Sequence, residues 1–477
     1  MGQEIDRTRF TEDDFARFRQ RVAQETDLLA DWLAQRRMDE THIVGGYEIE
    51  AWLIDPQYCP APRNREFLDR FASPLASPEL ARFNVEFNSS PQPLDGSLPA
   101  FDHSHRELVG TLRQAREIAG QLDCEVLMTG ILPTLRPEHL GLENMSDMKR
   151  YAALNEQVLA ARRGQPLHLE IQGEGYLSEK HENVMLESAA TSFQLHLQIP
   201  ARRAHLYYNA AIIASAATVG AAANSPYLFG IPLWDETRIP LFEQAVEVGG
   251  YEGAWSGPLH RVSFGSGYAQ DSILEVFREN LEHFPPLLPI VTDDPPERMS
   301  HLRLHNGTIW RWNRPLIGFD DQGLPHVRIE HRVMPAGPSL RDMIANAAFA
   351  YGLMQALVRA ELQELIPFTQ ARDNFHAAAR RGLRATVDWP ERGRVELRRL
   401  LRDDLIDLAD EGLADLGIGE DERHRWLDII RQRVETTQNG AEWQRRFVTA
   451  HGPRMDELTA SMLHQQKQDR PVHQWEL

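Results

Sequence analysis

Lysine is almost missing from this 477-residue chain: Lys149, Lys180 and Lys467 are the only ones, and arginine supplies the other basic side chains. A P-loop needs a lysine beside its glycine-rich turn, and no Gly-Lys-Ser/Thr sequence occurs, so a P-loop nucleotide site is excluded. Cysteine is nearly as scarce. Cys59 and Cys124 are too few for a disulfide framework or a cysteine-rich zinc site. Positive charge is outweighed, with a formal net charge of −19. That balance disfavours nucleic acid and anionic membrane surfaces as partners. Long apolar runs are missing too: the longest, Ala210–Ala223, falls short of the ~20 residues that span a bilayer. The N-terminal stretch MGQEIDRTRFTEDD has neither a basic n-region nor an apolar h-region, so no signal peptide is read there. A soluble, cytoplasmic protein is expected. Repeats and low-complexity segments are absent as well.

What is present is a globular composition, 42% hydrophobic, with alternating and helical patterns in turn. Thr11 with Asp14 three residues on predicts a capped helix, followed by Phe15, Phe18, Val22, Leu29 and Trp32 at helical spacing. Strand alternation starts near Ile43. His103–Leu122 reads as a helix, and CEVLMTGILP as a strand into a turn. MSDMKRYAALNEQVLAARRG reads as a helix. LHLEIQGEGYL and ATSFQLHLQI read as strands, and the Ala-rich run as a buried helix. Phe284–Met299, rich in Pro and Asp, reads as a loop or lid. HLRLH, TIWRW and HVRIEHRVM read as further strands. Ser339 with Asp342 caps another helix, and the pattern from there to Phe447 is helical. The fold class is α+β, antiparallel strands first and helices after. Residues 1–337 form the sheet-bearing portion with an N-terminal helix. Residues 338–450 form a helical portion completing the same catalytic domain. Residues 451–477 form a C-terminal tail, whose last twenty or so residues, TASMLHQQKQDRPVHQWEL, are expected to be loosely ordered.

Four strands carry a loaded face. Neighbouring side chains on a strand point to opposite faces, so alternate residues share one. Glu48 and Glu50 share one in GGYEIEAWLID, and Asn84, Glu86 and Asn88 in FNVEFNSSP. Gln194, His196 and Gln198 share one in SFQLHLQ, and Arg328, Glu330 and Arg332 in VRIEHRVM. An antiparallel sheet with one wet face explains any single strand of this kind. Four together are different, because Glu, Gln, His and Asn can bind a metal. If the faces converge, Glu48, Glu50, Glu86, His196 and Glu330 form a wall that needs cations to stay ionised. Mg²⁺ (or Mn²⁺) suits such oxygens and leaves positions for phosphate. Arg332 would reach a phosphate or a developing negative charge. Acids, Mg²⁺ and Arg suit phosphoryl transfer from ATP. His168, His301 and His305 read as structural, and Trp310 and Trp312 as packing.

In this order the motifs resemble the glutamate–cysteine ligase family, chiefly its carboxylate–amine ligase branch. The family's opening Gly-x-Glu-x-Glu matches Gly46, Glu48 and Glu50. Its second-strand metal-binding Glu matches Glu86, and its Gln-x-His matches Gln194 and His196. ANSPYLFG matches a family turn, and Arg238 in DETRIPLFE matches an arginine that holds a substrate carboxylate. IWRWNRPL carries Arg314, and the final Glu-x-Arg matches Glu330 and Arg332. DNFHAAARRGL supplies Asn374, Arg380 and Gly382. The resemblance spans roughly residues 43 to 447. There are two departures. TGILPTL stands where many members carry a GGTHP-like segment, and residues 164–188 are longer than the family pattern and are expected to reshape the substrate pocket.

The resemblance implies a curved antiparallel sheet, similar to glutamine synthetase, with its concave face as the active site and helices packed on it. It implies Mg²⁺ on Glu48, Glu50, Glu86, His196 and Glu330, with ATP as co-substrate. Catalytic roles fall to Arg332 and Arg238, and contacts to the bound nucleotide to Gln194, Arg314 and Arg380. The implied reaction is an amide-forming ligation of an amino-acid carboxylate, such as glutamate's, to an amine such as cysteine. The implied partners are therefore small molecules, without nucleic acid or membrane, and self-association stays open. Two alternatives remain: a Mg-ATP phosphotransferase of the same superfamily, such as a guanidine kinase, and a degenerate binding protein. The late cysteine expected of a guanidine kinase is missing.

Overall fold

The computed structural model describes residues 4–477 except Asp6 and the segment 249–259. Its centre is a curved antiparallel sheet of eight strands: β1 (Val44–Ile54), β2 (Ala76–Pro78), β3 (Asn84–Asn88), β4 (Gln92–Pro93), β5 (Glu125–Leu127), β6 (Ser192–Ile199), β7 (Asn313–Phe319) and β8 (Pro325–Pro335). The main order is β7-β8-β6-β1-β3-β2, with β4 and β5 pairing to the ends of β1. β1 is long because Val, Tyr, Ile and Trp favour a pleated, buried surface.

The convex face is packed by two helices, Ala204–Ala222 and Leu340–Ala360. The first is apolar all round, as a helix buried on every side must be, and its small side chains let it lie close to the sheet. Ser339 accepts from Asp342 N and so caps the second helix. Tyr351 of that helix donates its hydroxyl to Gly46 O and His196 O at 3.1 and 3.0 Å, and its ring stacks on Tyr47. A Cβ on Gly45 would meet the Tyr351 ring at 2.9 Å, so glycine is required there. His331 also turns to this face. It bonds Thr218 Oγ1 and Asn313 Oδ1, and burial pushes its imidazole down to about 3.

The N-terminal helix Glu12–Ala34 has the capping box of Thr11 and Asp14. It roofs one end of the sheet by packing Phe18 on His301 and His305. Those histidines correct one expectation. HLRLH belongs to a helix, Ser300–Gly307, not to a strand. His301 and His305 are four apart and meet the same ring, so the helical period overrides an alternation only five residues long. TIWRW is also not a strand: Trp312 N bonds Ser263 O, and the ladder begins only at Asn313.

The tail is another correction. Met455–Lys467 is helical, and the chain beyond it is pinned. Val472 N donates to Asp342 Oδ2 at 2.9 Å, and Trp475 meets Trp443 edge-on at 5.0 Å. The polar composition hid two apolar anchors. The segment 164–188 folds as a separate hairpin, Leu167–Gln172 with Tyr176–His181, and leads into a 3-10 turn, Val184–Ala189. Among the described residues no helix is long and apolar enough to cross a membrane.

Candidate active site

Register brings the loaded faces together. Glu50 pairs with Glu86, Glu48 with Asn88 and Gln194, His196 with Gly46 and Glu330, and Glu330 with Arg314. Residues directly opposite across a ladder share a face, so these side chains all stand on the concave side. Glu48, Glu50, Glu86, Gln194, His196, Arg314 and Glu330 line a cavity of about 420 Å³. A Cβ on Gly46 would meet nothing within 4 Å. The strand therefore leaves open space beside His196.

Glu48, His196 and Glu330 form the tightest cluster, with one ligand atom from each lying within 4.8 Å of the others. His196 Nε2 is 3.0 Å from Glu48 Oε1 and 3.9 Å from Glu330 Oε1, and its Nδ1 is buried without a partner. Two carboxylates and an imidazole are a fitting donor set for a hard divalent cation. The buried unpaired nitrogen is the kind of polar atom that a ligand or ion would satisfy.

Glu330 is gripped. Arg314 Nε and Nη2 donate to its two oxygens at 2.7 and 3.0 Å, a bidentate pair. Arg332 Nη1 adds a third bond at 3.1 Å and also donates to Gln194 Oε1. Burial opposes ionisation, but Arg314, Arg332 and His196 outweigh it and hold Glu330 well below the usual carboxylate range. Burial also opposes ionisation of Glu48, and the neighbouring His196 overcomes it, leaving that carboxyl at about 2.

The other acids lack such partners. Glu50 accepts from Ser192 N, Ser192 Oγ and Gln194 Nε2 at 2.6–2.8 Å, and burial still raises it. Glu86 accepts from Ser77 Oγ and Asn88 Nδ2, and burial with Glu48 nearby pushes it up to about 7.

Arg332 sits on a β-bulge. His331 faces Leu195 and Met334 faces Phe193, so Arg332 and Val333 together oppose Gln194. A bulge leaves carbonyls without ladder partners. Arg238 supplies them: Nη2 donates to Arg332 O at 2.9 Å and Nη1 to Val333 O at 3.2 Å, with Glu236 Oε1 at 3.4 Å. Three of the five N–H donors of this guanidinium are thus spent, two on the bulge carbonyls and one on Glu236, and the side chain still lines the cavity.

Arg380 is not brought to the site. It is exposed, reaches Gln172 O at 3.4 Å and stacks over Trp234 at 5.8 Å, outside the cavity lining. Its helix, Phe368–Arg381, packs on the far side of the Ala-rich helix, and Asn374 there bonds the backbone of Asp388.

The structure also adds residues that carry no sequence signal. Glu79 lies one residue past β2, Arg150 and Tyr151 come from the helix Lys149–Ala161, and Glu187 comes from the 3-10 turn; all line the cavity. None sits in an alternating run, so no pattern marked them. The long 164–188 segment touches the cavity only at its end, through Glu187 and Ser188.

Comparison with known proteins bears on the family and the fold. The family described as glutamate–cysteine ligase family 2 matches residues 44–464. No curated protein matches the sequence significantly. Among solved structures, a glutamate–cysteine ligase from Francisella tularensis in complex with AMP is similar at TM-score 0.54 and 10% identity, covering 90% of this chain and 89% of that one. At such identity the likeness shows the fold. A bifunctional glutathione synthetase from Pasteurella multocida follows at TM-score 0.46 and 11% identity, covering 90% of this chain and 52% of that one. The ligase PafA in complex with the prokaryotic ubiquitin-like protein Pup follows at 0.36 and 10%, covering 89% and 72%.

Proposed function

This chain belongs to glutamate–cysteine ligase family 2, residues 44–464 matching it, and from that premise we propose that it is an ATP-dependent carboxylate–amine ligase. It joins an amino-acid carboxylate, the γ-carboxylate of glutamate in the simplest case, to an amine. The observation that carries the reading is the clustering of Glu48, His196 and Glu330 on one concave face, with Arg332 bonded to the last of them. Glu48, His196 and Glu330, with Glu50 and Glu86 alongside, would hold Mg²⁺ or Mn²⁺, which would supply positive charge to neutralise ATP phosphate oxygens.

The chain's own residues do the rest. The substrate carboxylate oxygen attacks the γ-phosphorus, the bond to the β-phosphate oxygen breaks, and ADP leaves an acyl phosphate. Arg332, fixed by Gln194, Glu330 and the Arg238-held bulge, stabilises the phosphoryl group in transit without reorganising. The two N–H groups that Arg238 has left face a second carboxylate of the substrate. Arg314 acts through Glu330, whose orientation it fixes. The amine then attacks the acyl carbon, loses a proton and displaces phosphate, forming the amide. Neither cysteine lines the cavity, so the phosphotransferase alternative has no thiol at this site.

Phosphate release from ATP and Mg²⁺, with amino acids and amines offered singly and in pairs, tests the reading. Release that requires both an acid and an amine is expected. Release that ignores the amine would replace the ligase with a kinase or an uncoupled ATPase.

A further inference from the structure

The cavity has an end that the metal cluster leaves unused. Ser77 pairs with Glu86 and Pro78 with Val85. One step further along the same antiparallel register, Glu79 comes level with Asn84, on the concave face. Glu187 reaches the same end from the 3-10 turn, facing Arg332, Glu50 and Arg150.

Two polar side chains here have nothing to bind. Asn84 is 2% exposed, yet its side chain makes no hydrogen bond, and its Nδ2 is fully enclosed. Glu187 Oε2 is enclosed and without a partner as well. A buried group left unpaired costs about 1–3 kcal/mol, more when charged, so the Glu187 carboxylate points to a ligand that donates, and Asn84, whose enclosed Nδ2 can only donate, has its Oδ1 left to accept.

The sign of the charge identifies that ligand. Glu50, Glu79, Glu86 and Glu187 stand here against two guanidinium groups: Arg332, already bonded to Glu330 and Gln194, and Arg150, which lies over the Tyr151 ring at 4.4 Å and bonds its hydroxyl. With Glu50 and Glu86 given to metal and Arg332 to Glu330, Glu79 and Glu187 still outnumber Arg150. Burial lifts Glu187 to about 7 even with Arg332 and Arg150 nearby. Pro78, Leu80, Met148 and Leu154 make the remaining wall apolar.

We propose that this chamber receives the ammonium group of the amine substrate, held by the carboxylates of Glu187 and Glu79 and by Asn84 Oδ1, and that the acceptor is an alkyl amine or diamine without a carboxylate beside its nitrogen. An α-amino acid would bring its own carboxylate among these glutamates, at a cost that like charges impose in a low-dielectric cavity. The inference rests on the ligase reading above.

The experiment separates the two. Wild-type protein with ATP, Mg²⁺, hydroxylamine and a panel of amino acids reports the acyl phosphate as a hydroxamate. No hydroxamate with any acid would sink the ligase reading, and the chamber assignment with it. With the acid identified, butylamine, putrescine, glycine and cysteine are compared as acceptors. The amines are expected to exceed glycine and cysteine in kcat/KM by at least about tenfold, the size of one charged contact. Glu187→Gln should raise KM for the amine by a similar factor while KM for ATP moves less than about twofold, and Glu187→Asp should recover part of the loss. Better use of glycine or cysteine would overturn the proposal. So would an unchanged amine KM in Glu187→Gln, or a raised Mg²⁺ requirement in its place.

Discussion

Glu330 and Glu86 lie on one face of one sheet, and both are almost wholly buried, at 2% and 4% exposure. They titrate in opposite directions. Glu330 is held well below its usual range and Glu86 is raised to about 7. Burial opposes ionisation of both, so it cannot be the cause of the difference. Partners decide. Glu330 meets two guanidinium groups at 2.7–3.1 Å, whereas Glu86 meets a hydroxyl and an amide and faces Glu48 and Glu50. The Glu330 wall is therefore preorganised by the protein itself, whereas the Glu86 wall would be completed by cations from outside under the proposed function.

The strongest break in this comparison is Glu330→Gln. The shape is kept, but Arg314 and Arg332 lose their anion in a buried place. A broken buried pair costs about 3–5 kcal/mol, and acid- and amine-dependent phosphate release should fall by about 10³-fold. Thermal unfolding and steady-state kinetics would read both. Full activity in a folded variant would move the reaction away from this wall.

The next effect concerns the Glu86 wall without metal. A carboxyl raised from 4.5 to about 7 binds its proton more tightly folded than unfolded. Below about pH 4.5 it is protonated in both states and costs nothing. Between about pH 4.5 and 7 the unfolded state ionises first, so stability falls as pH rises, by roughly 3 kcal/mol in all. Metal-free protein in EDTA should therefore lose Tm from pH 5 to pH 8. Glu86→Gln should flatten the slope, and Mg²⁺ should restore Tm in the wild type at pH 8. A Tm indifferent to pH, in both proteins, would show that Glu86 is not crowded as described.

How much of this contrast was legible in the sequence follows from what each residue depends on. Period-two alternation put Glu48, Glu50, Glu86, His196 and Glu330 on loaded faces, because strand geometry is local. The convergence of those faces on one concave surface needed the sheet order, which the resemblance supplied. The Arg238 grip on the bulge at Arg332 and Val333 was not readable, since a bulge is one extra residue opposite a partner strand, far away in sequence. Glu79 and Glu187 were invisible for a similar reason: they sit just outside regular elements. HLRLH failed because five residues fit both periods.

Arg332→Lys sharpens the comparison from the clamped side. Lysine keeps the charge but lacks the planar fork that reaches Glu330 and Gln194 together. Loss of one such preorganised donor costs about 10²-fold in kcat, while Glu330 keeps its bidentate bond from Arg314 and the fold its stability. Unchanged kcat would leave Arg332 as scaffolding for Glu330 alone.

The smallest effect is the control that separates resemblance from geometry. Arg314 and Arg380 both entered as nucleotide contacts by position in the family pattern. Arg314 is buried on Glu330, and Arg380 lies outside the cavity on Trp234 and Gln172. An exposed cation over an aromatic face is worth about 0.5–1 kcal/mol. Arg380→Ala should therefore lower Tm slightly and leave kcat/KM for ATP within about twofold of wild type. A tenfold loss would mean that the nucleotide extends beyond the sheet's concave face to the surface of the Leu167–His181 hairpin, and the clamped wall would then be one part of a longer site.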